Sequence, residues 1–63
     1  MDKMLRVEQA IQRIRNAHNL GDLAREWNRS AAERRGSDVD VRLEALEACM
    51  TAIISICHAG EKK

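Results

Sequence analysis

Between Val39 and Cys57 apolar residues return at alternating intervals of four and three: Val39, Leu43, Leu46, Met50, Ile53 and Cys57. That alternation keeps one side of an α-helix apolar for about five turns and marks a seam for packing against another helix. Ala45, Cys49, Ala52 and Ile56 run beside it, so the second half of this helix is apolar around most of its girth. A single neighbouring helix covers one stripe, not a circumference. The chain has 63 residues, and chains this short leave much of their apolar surface wet unless they are cross-linked, bind a metal or associate. The sequence therefore predicts self-association through Val39, Leu43, Leu46, Met50, Ile53, Ile56 and Cys57.

Internal cross-linking is not available as the remedy. Cys49 and Cys57 lie eight residues apart, about 12 Å along a helix, whereas the Cα atoms of a disulfide lie within about 7 Å. Neither cysteine belongs to a CxxC pair, and His58 has no second histidine at ligand spacing. The two thiols read as small hydrophobes filling a bundle, and no metal or other cofactor is expected.

Composition fixes the class of secondary structure. The chain has no Pro, Phe or Tyr and only 3 Gly, and is rich in Ala, Leu, Arg and Glu, which is the profile of an all-α protein. The expected architecture is a single domain spanning 1–63, a helical hairpin that assembles into a dimeric helical bundle. Its turn falls at residues 36–38. Gly36 suits the left-handed position after a helix, Arg34 and Arg35 place positive charge at that helix's C-terminal end, and Ser37 or Asp38 can cap the next helix. The second helix is expected over about 39–59, with Gly60 ending it and a frayed tail at 60–63.

The first half carries a phase change. Met4, Val7, Ile11 and Ile14 form one stripe, and Ala17, Leu20, Ala24, Trp27 and Ala31 form another. At about 100° per residue the second is rotated by roughly 150° from the first. The shift falls in a stretch of poor helix formers, Asn16, His18, Asn19, Gly21 and Asp22. Two readings remain: a long first helix over about 3–35, kinked near residues 18–22, or two helices meeting there with Asn19 as the cap and Asp22 three residues on. The continuous helix is the preferred reading.

Catalytic equipment is missing from the pattern. Ser30, Ser37, Thr51 and Ser55 have no histidine and carboxylate at motif spacing, there is no glycine-rich phosphate loop, and Glu44 and Glu47 read as solvated helix surface. His18 reads as a surface or interface residue. The expectation is that the chain is not an enzyme.

Charge is close to balanced, with 11 basic and 10 acidic groups, so neither a polybasic tail nor an acidic disordered segment is present. The distribution is uneven, however. Residues 1–35 hold eight basic and five acidic groups (+3), and residues 36–63 hold three basic and five acidic (−2). Arg25, Arg29, Arg34 and Arg35 cluster in sequence around Trp27, the only aromatic residue, and Trp and Arg are the residues most enriched at binding hot spots. Asp22, Glu26 and Glu33 are interleaved among them and can pair with the arginines. Arg25, Trp27, Arg29, Arg34 and Arg35 are the candidate partner-binding residues.

The leading functional reading is a small self-associating regulator or adaptor that binds another protein. An alternative is a dimeric RNA- or DNA-binding regulator using basic helix faces, to which Arg6 and Arg13 would contribute. A further alternative is a chaperone sheltering a client helix in the same apolar surface. The segment MDKMLRVEQA lacks the uninterrupted apolar stretch of a signal peptide, and Ala48–Cys57 is about half a membrane span. No membrane role and a cytoplasmic location are expected, in keeping with sparse cysteine use.

Overall fold

The computed structural model describes residues 3–61, and among them the chain is all-α: α1 (Lys3–Arg15), α2 (Leu20–Arg29), α3 (Ala31–Arg35) and α4 (Val39–Glu61). The first half is broken, not continuous. Asn19 stands in extended backbone with φ −153° and ψ 172°, and its side-chain oxygen accepts the backbone N–H of Asp22 at 2.8 Å. Asp22 reaches back and accepts the N–H of His18 at 3.2 Å. The exchange is a capping box displaced outward by one residue: Asn19 satisfies a donor that the helix start would leave without a partner, and Asp22 ties down the residue before the cap. Gly21 belongs to this device, since a Cβ there would come within 3.3 Å of the Asn19 oxygen that makes the cap.

A second break falls at Ser30, where sequence periodicity gives no warning. The buried Ser30 hydroxyl donates back to the carbonyls of Glu26 (3.1 Å) and Trp27 (3.2 Å). Serine back-bonding of this kind competes with the helical ladder and lets the chain turn. The turn before α4 uses Gly36 at φ −86°, so the expected left-handed cap is replaced by ordinary backbone. Ser37 does not turn forward to cap α4. Its hydroxyl donates to the carbonyl of Glu33 at 2.7 Å and so serves the end of α3. At the other end α4 passes through Gly60 to Glu61; residues 62 and 63 of the expected frayed tail lie outside the described residues.

The core is built by α1, α2 and α4. Val7, Ile11 and Ile14 of α1 and Leu23 of α2 are buried against Ala45, Ala48 and Ala52 of α4, with Ala17, Trp27, Val41, Cys49 and Ile53 packed around them. The first stripe read from sequence is therefore core-facing except for Met4, which is half exposed. Of the second stripe, Ala17 and Trp27 pack against the core, but Leu20 is 58% exposed and Leu23, which lies beside the stripe, takes the buried place. The alanines have a steric consequence. Three small side chains at successive turns let the α4 backbone come close to α1, whose β-branched residues fill the space between. The molecule is elongated, 42 × 18 × 15 Å, with α4 as its long axis.

Candidate functional site

Two surfaces of this frame carry most of the residues singled out above. The larger is the outer face of α4. Val39 (64% exposed), Leu43, Leu46, Met50 and Ile54 lie open to solvent, as does Cys57. Ile53 and Ile56 are half-buried, and Ile53 packs against the core. At about 100° per residue the mean direction of the exposed set lies roughly 165° around the helix from Ala45, Ala48 and Ala52. Apart from Ile53, the seam with the strongest periodicity in the chain thus points away from the protein's own core, and Ile54 takes the place of Ile53 in the exposed row. The intrachain packing uses the alanines beside it.

The second surface is a cleft between α2, α3 and α4, lined by Trp27, Arg34, Arg35, Arg42 and Leu46. Arg34 lies over the indole of Trp27 with its guanidinium carbon 3.4 Å from the ring centroid, a cation–π contact. Its Nη2 donates to the Trp27 carbonyl at 2.6 Å and its Nε to the Ser30 hydroxyl at 3.1 Å. The break at Ser30 therefore also supplies the hydroxyl that holds Arg34 in place. Burial pulls the Arg34 guanidinium below its ordinary pKa, the neighbouring charge of Arg35 adds to the effect, and Cys49 opposes it. Arg42, which the sequence reading did not single out, completes the cleft. It donates from Nε to the Ser37 carbonyl (3.1 Å) and from Nη2 to the Arg35 carbonyl (3.0 Å), tying α4 to the end of α3.

Of the five candidate partner-binding residues, Trp27, Arg34 and Arg35 come together and Arg25 and Arg29 do not join them. The reason is helix geometry: two positions along a helix is a rotation of about 200°, so Arg25 and Arg29 each sit about 160° from Trp27. Arg29 instead lines a polar cleft with Arg6, Arg13, Glu26, Ser30 and Glu33. In that cleft Glu33 Oε2 is buried with no hydrogen-bond partner among the described residues.

The two clefts, about 150 and 260 Å³, are smaller than the roughly 300–1,000 Å³ of sites that enclose a small molecule. They are of a size to receive a side chain. Among the described residues no three His, Cys, Asp or Glu groups converge on a point that could hold a metal. Val39–Gly60 is long and apolar enough, by length and composition alone, to cross a membrane. No family model, curated protein or solved structure matches the chain.

Proposed function

We propose that this protein is a small helical adaptor or regulator that self-associates through the outer face of α4 and binds another protein through the cleft around Trp27, Arg34 and Arg35. The observation that carries the reading is the exposed row Val39, Leu43, Leu46, Met50 and Ile54. Burying a large apolar side chain completely is worth about 1.5–3 kcal/mol. With somewhat more than half of each of the five still to bury, one copy offers about 4–9 kcal/mol and two copies about 9–17. Association costs on the order of 4–15 kcal/mol. The balance favours a reversible dimer that responds to concentration.

A bilayer is a poorer cover for the same helix. Glu44 and Glu47 lie within the apolar span, and charged residues carry a penalty of up to roughly 3 kcal/mol each in that setting. Crossing would also require α4 either to give up its alanine packing with α1 or to carry that charged helix into the bilayer. The nucleic-acid reading gains from the meeting of Arg6, Arg13 and Arg29 in one cleft, but Glu26 and Glu33 line the same cleft and reduce its appeal to phosphate.

Sedimentation velocity over a concentration series tests the proposal. The expected result is a dimer at tens of micromolar, whereas Leu46→Glu/Met50→Glu sediments as a monomer with its helical circular dichroism retained. A wild-type chain that is monomeric up to about 100 μM, equivalent to a standard free energy of association weaker than about −5.5 kcal/mol, would overturn it.

A further inference from the structure

The seam of α4, exposed at every member except the half-buried Ile53, has an internal symmetry in its sequence spacing. Its spacings run four, three, four, three, four, a series that is the same in both directions. Val39 and Cys57, Leu43 and Ile53, and Leu46 and Met50 each stand equally far on either side of Ala48. We propose, building on the self-association reading, that the second copy lies antiparallel across this face with the two Ala48 positions level. Val39 of each copy then meets Cys57 of the other, Leu43 meets Ile53, and Leu46 meets Met50. Every layer of an antiparallel helix pair needs one residue from each half of the seam, and here none is left over.

A parallel pair would also match the seam to itself, so charge decides between the two. Residues 39–48 hold Asp40, Glu44 and Glu47 against Arg42, while residues 49–60 hold no Asp, Glu, Lys or Arg. Parallel pairing sets the two acidic halves and the two like helix ends side by side. Antiparallel pairing sets each acidic half against an uncharged one and opposes the helix dipoles. One attraction would favour the parallel form: Arg42 and Glu47 have the spacing that bridges neighbouring copies in a parallel seam. Arg42 is not available for it, because its guanidinium is turned back onto the carbonyls of Ser37 and Arg35.

The native cysteines provide the ruler. Cys57 is exposed and Cys49 half-buried. In the antiparallel register the two Cys57 positions are about 27 Å apart along the axis, and in a parallel pair they are level. A spin label on Cys57 in a Cys49→Ala chain, read by pulsed dipolar spectroscopy, is expected to show a separation near 30 Å or above. A distance under about 20 Å overturns the antiparallel arrangement. The independent variant is Val39→Cys under a glutathione redox buffer. It is expected to form a disulfide-linked dimer whose peptide map joins position 39 to Cys57, and Cys57→Ser is expected to abolish the link. A wild-type chain that joins Cys57 to Cys57, or a Val39→Cys chain that joins the two 39 positions, sinks the register. Sedimentation of the same samples separates the two failures, since a dimer with the wrong link refutes only the orientation, and a monomer refutes self-association itself.

Discussion

The two apolar faces of α4 are made of different residues and meet different surroundings. The inner face is Ala45, Ala48 and Ala52, almost wholly buried, and the outer face is Val39, Leu43, Leu46, Met50 and Ile54, more than half exposed. Area bookkeeping alone would place them the other way round, since the larger side chains gain more from leaving water. Close packing explains the inversion. A small-residue face lets a second helix approach, so that Val7, Ile11 and Ile14 fill the gap from one side. Two rows of large residues facing each other within a chain this small would push its helices apart. The large row remains for a surface with room for it, which another molecule can provide.

The contrast makes predictions that differ sharply by face. Truncation in the inner interface has the largest effect: Ile11→Ala is expected to destabilise the monomer by about 2–5 kcal/mol, read from urea unfolding at concentrations where the chain is dissociated. An unchanged midpoint would mean that the α1–α4 contact does not hold the fold. Enlargement on the same face comes next. Ala48→Leu has no space to occupy and is expected to cost about 1–3 kcal/mol; a stabilised variant would show that the alanines leave a void. Asn19→Ala removes the cap that starts α2 and is expected to lower stability by about 1 kcal/mol, while Asn19→Gly loses only a few tenths. The smallest effect belongs to the outer face. Leu43→Gln is expected to shift monomer stability by no more than about 0.5 kcal/mol, yet to weaken association several-fold in sedimentation equilibrium. A large loss of monomer stability would place Leu43 in the core and erase the distinction between the faces.

The all-α class was legible in composition, and so was the first core stripe, because Val7, Ile11 and Ile14 keep helical phase within a single helix. The break near Asn19 was legible only as one of two readings. Propensity gave the weak stretch and the phase change gave its direction, but the deciding bond from Asn19 to the Asp22 N–H depends on backbone geometry. The break at Ser30 was not legible, since a serine in a helix interior and a serine that ends one look alike in sequence. The seam on α4 shows the limit of periodicity most clearly. Spacing reports that Val39, Leu43, Leu46 and Met50 share a face; it is silent on whether that face meets the same chain or a neighbour. The candidate cluster around Trp27 was legible in part. Arg34 lies over the indole and Arg35 lines the same cleft in a chain that turns at Ser30, and Arg42 comes from a different helix.

Leu46 belongs to both surfaces, standing in the exposed row and walling the cleft of Trp27, Arg34 and Arg35. A side chain with two clients cannot serve them independently. If a guest in the cleft shifts its rotamer, the fit at the centre of the proposed dimer changes, and thermodynamic reciprocity then requires that such dimerisation alter the guest's affinity by the same factor. Concentration of the chain and occupancy of its cleft would thereby be read through one leucine.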